Sequence, residues 1–385
     1  DEGCLINMKN EMTREDILGD IKKVVVKVGT STLTKEDGSL NISKIKEIVK
    51  EISNLVDKGY EMVLVTSGAV GAGMGQLGLI EKPKALTEKQ AVAAVGQVAL
   101  THLYQNLFSE YNKTIAQLLL TKADFSDRNR YLNARNVCNT LLEKKIIPVV
   151  NENDAVVADE IKVGDNDTLS ALVSGLIDAD LLIILSDIDG LYNKNPQKYE
   201  DANLIEIIGN VDEDVKAMAG GEGSKFGTGG MFTKIVAAEM ATKIGTHLVI
   251  ANGGNPTNIT RIVNKENVGT LFIKKDKKIS SKKYWLAYGT NKKGTVMIDD
   301  GAEKALLKGK SLLPVGIKKV EGNFDKGTVV QIINKEEKLL AKGISNYSSE
   351  EIIKIRGYKS EEIEKLLGYK YDDVVIHIDN MITLV

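Results

Sequence analysis

The sequence predicts an α/β protein: a three-layer α/β/α domain built on a mainly parallel sheet, followed by a small, mainly β domain. Three observations carry this. Short apolar runs ending in Gly, Ser, Thr or Asn alternate with helical stripes over about 250 residues, the pattern of a parallel sheet covered on both faces. After Ile273 the pattern changes to a Lys-rich stretch and then to short strands separated by turns. A chain of 385 residues also exceeds what one core usually covers, so two domains are expected. The boundaries read as a tail at 1–20, the α/β domain at 21–275, a linker at 276–288 and the second domain at 289–385.

Residues 9–20 are mostly polar and fit either a short helix or a tail. Residues 23–28 are a β-branched run ending in Gly29-Thr30-Ser31, a buried strand followed by a tight turn. Ile45, Ile48, Val49, Ile52 and Leu55 stand at helical spacing within 42–55. A second strand at 61–66 ends at Ser67-Gly68, and an Ala-rich helix follows over 89–108. Strands are expected at 114–120, 146–150, 181–185 and 247–251, and Leu169, Leu172, Val173, Leu176 and Ile177 form a helical stripe. In the second domain the runs 295–298, 316–321, 328–333, 339–345 and 374–378 read as strands, with helices at 302–307 and 360–367.

Composition narrows the function classes. The formal net charge of −2 draws the chain neither to nucleic acid nor to an acidic membrane. Two isolated cysteines, Cys4 and Cys138, make neither a disulfide framework nor a zinc spacing, which fits a reducing, cytoplasmic compartment. No apolar run reaches the roughly 18–20 residues of a membrane helix, and the start lacks the basic and apolar pattern of a secretory leader. His102, His247 and His377 are scattered and suggest neither a Ser-His-Asp arrangement nor a zinc site.

Five motifs fall at strand or helix ends, where ligands of parallel sheets gather. Lys27-Val28-Gly29-Thr30-Ser31 places a lysine at the end of a buried strand, costly without an anion nearby, and a glycine whose amide can point at a phosphate. The bland alternative is a lysine that snorkels to water. After Ser67-Gly68, the run Gly73-Met74-Gly75-Gln76-Leu77-Gly78 matches a dinucleotide fingerprint literally. Ser67-Gly68-Ala69-Val70 intervenes after the strand, however, and an Ala-rich helix replaces the expected acidic strand end. Gly71–Gly78 is therefore read as a tight turn. Asn151-Glu152-Asn153-Asp154 crowds a strand end, either to turn the chain or to bind a polar ligand. Gly164-Asp165-Asn166-Asp167-Thr168 opens a helix; capping explains one of its polar residues, not three. Gly227-Thr228-Gly229-Gly230-Met231-Phe232-Thr233-Lys234 opens another helix, which Gly245 stops, and its amides and dipole suit a phosphate. It is not a Walker A loop, and Gly309-Lys310-Ser311 has Lys304 where that motif needs its first glycine. Two lysines, glycine turns and carboxylates on one sheet edge point to phosphoryl transfer, which needs mainly positive charge and an in-line acceptor.

The segments VVVKVGTSTLT, VLVTSGAVGAG, PVVNENDAV, IKVGDNDTLSAL, LSDIDGLY and GTGGMFTK, with SLLPVGIKKVEGNFDKG and the closing HIDNM, give the chain a resemblance to the glutamate 5-kinase family over about residues 21–385. That family lies within the amino acid kinase superfamily and carries a C-terminal PUA domain. The resemblance implies an amino acid kinase fold and transfer of a phosphoryl group from ATP to the γ-carboxylate of glutamate, the first step towards proline. By motif, Lys27 and Lys234 would neutralise the transferring group and Asp167 would hold them. Ser67, Asp154 and Asn166 would bind glutamate. Lys27, Gly29, Ser186, Asp187, Thr228, Gly229, Gly230, Met231, Phe232, Thr233 and Lys234 would bind the nucleotide. Mg²⁺ would be held mainly through the phosphates of ATP. Ser186 stands where the family has threonine, and its hydroxyl can do the same work. Feedback inhibition by proline, a homotetramer and coupling to glutamyl-phosphate reductase are expected from the resemblance alone. Kinases for aspartate, acetylglutamate or carbamate would lack the NENDAV and GDND pair. RNA binding as a main role is disfavoured, since 289–385 holds 16 Lys/Arg against 15 Asp/Glu.

Overall fold

The computed structural model describes residues 13–35, 39–121, 124–125, 127–156, 165–196, 198–220, 230–275, 286 and 294–384. These fall into two compact units, one before about residue 278 and one after it, with the stretch near 125–128 grouped with the second. The linker read at 276–288 lies, apart from Leu286, outside the described residues, as do Gly164 and Thr228-Gly229.

The first unit opens with α1 (Arg14–Leu18), whose N-cap Thr13 and Asp16 form a reciprocal capping box. It continues through β1 (Lys23–Val28), α2 (Thr30–Leu33), α3 (Ile42–Asp57), β2 (Glu61–Thr66), α4 (Ala69–Leu77) and α5 (Leu86–Ser109). Next come β3 (Ile115–Leu120), α6 (Arg128–Glu143), β4 (Ile147–Glu152), α7 (Asn166–Leu176) and β5 (Leu181–Ser186). The unit closes with β6 (Ile207–Ile208), α8 (Glu213–Met218), α9 (Met231–Ile244), β7 (His247–Asn252), α10 (Asn258–Val263) and β8 (Thr270–Phe272). The described strands form an eight-stranded sheet in the order β3-β4-β2-β1-β5-β7-β8-β6. All pairs are parallel except β7 with β8. β4 and β5 are buried at every position, as a sheet covered on both faces requires.

Alternation along β1 decides where its lysine goes. Val24, Val26 and Val28 join the apolar cluster of Ile45, Ile48 and Ile52 from α3 and Leu100 and Tyr104 from α5. Side chains of a strand alternate, so Lys27 falls on the opposite face.

Gly71–Gly78 is a correction to the sequence reading. The stretch is helical through Leu77, and only Gly78 turns the chain, as a left-handed C-cap. The glycines serve packing: α4 crosses α5 with backbones in contact, and a Cβ on Gly73 would stand 1.9 Å from Val92 O. One on Gly96 would stand 1.7 Å from Ala69 O.

The second unit is a five-stranded sheet, β10-β9-β11-β12-β13, made from β9 (Thr295–Ile298), β10 (Ile317–Glu321), β11 (Val329–Ile333), β12 (Leu339–Ile344) and β13 (Met381–Thr383). Helices α11 (Asp300–Leu307), α12 (Ser349–Ile355) and α13 (Ile363–Leu367) complete it. Its core gathers Val296, Ile332, Tyr347, Ile352 and Ile376. The strand read at 374–378 is a second correction: Ile376 makes only an isolated bridge to Leu312, and the edge strand beside β12 is β13. Ile376 is apolar because it is core, which β-branched composition alone does not distinguish from strand.

Candidate active site

Lys27 sits near the end of β1, in register with Val65 of β2 and Ile184 of β5, and is 6% exposed. Its Nζ lies 2.6 Å from Asp167 Oδ1. Asp167 is in the first turn of α7, where N-cap Asp165 accepts from the Thr168 amide at 2.7 Å, and a carboxylate there also meets the positive end of the helix. From α9, Lys234 brings its Nζ to 3.2 Å from Asp167 Oδ2, and the Thr233 hydroxyl donates to the same oxygen at 2.8 Å. One carboxylate thus holds two ammoniums from different elements in a buried setting. Burial pushes Asp167 upward, but the charges of Lys27 and Lys234 and the hydrogen bonds from Lys27 and Thr233 outweigh it and keep the carboxyl below its usual range.

A second cluster lies at the ends of β2 and β4. Asn166, next to Asp167, directs its Nδ2 at Ser67 Oγ (2.6 Å), Thr66 O (2.9 Å) and Asn151 Oδ1 (3.2 Å). Gly68, at φ 96°, lets the chain turn from Ser67 into α4. Asn151 donates to Gln97 Oε1 at 2.9 Å. Beyond β4, Asp154 lines a cleft of about 230 Å³ with Glu152, Gln97, Gln117, Ala69 and Ala93. That is smaller than the roughly 300–1,000 Å³ of drug-sized sites and suits a small metabolite.

The third region is at the ends of β5 and β7. Ser186 Oγ donates to Asp187 Oδ1 at 3.1 Å, and the Gly253 amide donates to Ser186 O at 2.7 Å. Gly29 keeps the backbone close to the lysine: a Cβ there would stand 3.2 Å from Lys27 Nζ. Among the described residues no side chain caps α9 at Gly230, and the amides of Met231, Phe232 and Thr233 in its first turn have no partner within the helix. Thr228 and Gly229 lie outside the described residues.

The structure therefore brings Lys27, Lys234, Asp167 and Thr233 together, and Ser67 with Asn166. Thr233, read as a nucleotide contact, has its hydroxyl on Asp167. Asn151 and Gln97 escaped assignment. Asn151 belongs to a motif read for Asp154 alone, and Gln97 stands in an Ala-rich helix that shows no polar signal. Among the described residues no group of three His, Cys, Asp or Glu side chains is placed to hold a metal ion. The donors at this edge are lysines, hydroxyls and amides, a set suited to phosphate oxygens.

A parallel sheet with a lysine from a strand end and another from a helix start on one buried carboxylate fits phosphoryl transfer, the chemistry of a kinase. The profile of the amino acid kinase family matches residues 22–252, and that of the PUA domain matches 294–367. The chain belongs to the amino acid kinase family. It is similar to the glutamate 5-kinase of Caldanaerobacter subterraneus subsp. tengcongensis, with 53% identity over 94% of this chain and 98% of that one. The glutamate 5-kinase of Thermoanaerobacter sp. (strain X514) is 52% identical over the same shares, 94% and 98%. That of Moorella thermoacetica is 48% identical over 95% of this chain and 97% of its own.

Proposed function

We propose that this chain transfers the γ-phosphoryl group of ATP to the γ-carboxylate of L-glutamate, forming L-glutamyl 5-phosphate and ADP, the first step of proline biosynthesis. The observation that carries the reading is the shared hold of Asp167 on Lys27 and Lys234. A carboxylate oxygen of glutamate attacks the γ-phosphorus in line, and the bond to the bridging oxygen of ADP breaks. Negative charge gathers on the equatorial and leaving oxygens, and two fixed ammoniums oppose it without reorganising. Asp167 keeps those like charges side by side before substrate arrives.

The acceptor is assigned to the Ser67–Asn166 pair and to Asp154, which lines the neighbouring cleft beside Ala69. Ser67 and Asn166 can donate to carboxylate oxygens, and Asp154 can accept from an α-ammonium. Ser186, Asp187, Gly29 and residues 228–234 are assigned to the nucleotide. Mg²⁺ would travel with the phosphates and neutralise part of their charge. The near full-length likeness to glutamate 5-kinases supports glutamate over other acceptors. Proline as a feedback inhibitor, a homotetramer, a cytoplasmic location and a reductase that consumes the labile acyl phosphate belong to the same proposal. No helix among the described residues is long and apolar enough to cross a membrane.

The test is formation of a hydroxamate from ATP, Mg²⁺, hydroxylamine and an amino acid. Product is expected with glutamate. Product with aspartate and none with glutamate would overturn the acceptor, and none with any carboxylic acid would overturn the reaction class.

A further inference from the structure

We propose that Arg14, in the N-terminal helix α1, is a positioning residue for the nucleotide side of the site, acting through the peptide of Leu191. This rests on the reading of Ser186 and Asp187 as nucleotide contacts.

Arg14 is 6% exposed although it lies near the chain start, and Leu18 anchors the same helix in the core. Its guanidinium donates to carbonyls of two separate segments. Nη1 reaches Val268 O at 2.7 Å and Glu266 O at 3.2 Å, and Nη2 reaches Gly269 O at 2.7 Å and Glu206 O at 3.1 Å. A planar fork can bridge two carbonyl rows in this way; a single ammonium cannot. One step along each segment stands a partner of Leu191. Ile205 donates its amide to Leu191 O at 2.8 Å, and the Leu191 amide donates to Thr270 Oγ1 at 2.8 Å. Leu191 is thus held between two segments that β6 and β8 pair and that Arg14 clamps further at their start, where the Leu271 amide also donates to Glu206 O at 2.8 Å.

Leu191 ends the turn that begins at Ser186 and Asp187, after β5. The turn has little slack: a Cβ on Gly190 would stand 2.5 Å from Thr270 Oγ1, and Asp189 accepts from Asn252 Nδ2 at 2.8 Å. A shift of the 205–206 strip against 269–270 must therefore move this turn. Displacements of the order of 1 Å in positioning elements can cost about 10²-fold in rate. Arg14 touches no substrate in this account; it sets where the β5 turn lies.

The experiment uses the full chain and four variants: R14A, R14K, T270V and S186A. Hydrogen exchange of the Leu191 amide and binding of AMP-PNP with Mg²⁺ are measured well below the melting temperature, with KM for ATP and for glutamate. R14A is expected to speed Leu191 exchange and to weaken AMP-PNP binding about tenfold, with KM for glutamate within about twofold of the parent. R14K should fall between R14A and the parent. R14K carries the test should R14A not fold; T270V removes the Leu191 acceptor without touching Arg14, and wild-type AMP-PNP binding in T270V would overturn the route through Leu191. Wild-type exchange and AMP-PNP binding in R14A, or equal changes in both KM values, would overturn the role of Arg14. Wild-type AMP-PNP binding in S186A would instead overturn the assignment of this edge to the nucleotide.

Discussion

Lys27 and Lys234 come from a strand and a helix more than 200 residues apart, yet they meet opposite oxygens of Asp167, at 2.6 Å and 3.2 Å. The pairing ties β1 to the start of α9, and anything that loosens one lysine changes the setting of the other. Lys27→Ala and Lys234→Ala should each lower kcat by about 10²–10³-fold while KM for glutamate changes little, since each removes a donor proposed to act mainly in the transition state. Steady-state kinetics decide it: equal effects on kcat and KM would assign these lysines to ground-state binding.

Asp167→Asn should be active poorly and stable poorly, because it leaves two buried ammoniums without the charge between them. Breaking a buried ion pair on one side costs about 3–5 kcal/mol. The pH dependence has a definite sign. The folded-state pKa of Asp167 lies below its ordinary 3.8, so its contribution is present above 3.8 and is lost as pH falls through the lower folded value. Denaturant titrations between pH 7 and pH 3 should show the parent losing more stability than Asp167→Asn over the lower part of that range.

Ser67→Ala and Asn166→Ala should raise KM for glutamate by about tenfold each, with less effect on KM for ATP. The double variant should cost less than the product of the two, because the 2.6 Å bond between these side chains couples them. A double-mutant cycle on KM measures that coupling.

These predictions concern residues of unequal legibility. The meeting of Lys27, Asp167 and Lys234 was legible only through the family resemblance, because a lysine at a strand end can equally snorkel to water and a polar helix start can equally cap. The central strands were readable because both faces are buried, which forces runs such as Val24-Val25-Val26 and Leu181-Leu182-Ile183-Ile184. Helix α4 was not, because its glycines signal backbone freedom locally and close packing only when α5 is in place. Gln97 was hidden for a similar reason: its partner Asn151 is 54 residues away, and nothing local marks a glutamine that will meet it.

The packing of α4 on α5 gives its own prediction. Gly96→Ala would put a Cβ 1.7 Å from Ala69 O, a backbone atom that cannot rotate aside. The helices must separate, and overpacking of this kind costs about 1–3 kcal/mol or more. Ala69 begins α4 directly after Ser67 and Gly68, so the separation should reach Ser67 and Asn166, the pair proposed to bind the acceptor. Gly96→Ala is expected to lower Tm and raise KM for glutamate together. Gly75→Ala, where a Cβ meets nothing within 4 Å, should do neither.

His247 supplies a pH effect remote from the chemistry. It is 2% exposed at the start of β7, the end of the strand away from Asn252, and its Nδ1 accepts from the Lys274 amide at 3.2 Å. Burial first, and the charge of Lys274 second, pull its pKa down from 6.5 to about 4. A lowered folded pKa means that the stabilising contribution is complete above 6.5 and disappears as pH falls towards 4. The shift corresponds to about 3 kcal/mol. Asn in its place keeps an acceptor for the Lys274 amide but does not titrate. His247→Asn should therefore show a flatter stability profile between pH 6.5 and 4 than the parent, measured by denaturant midpoint, while turnover at pH 7.5 stays within about twofold. Parallel profiles for the two proteins would mean that His247 is not buried in its neutral form.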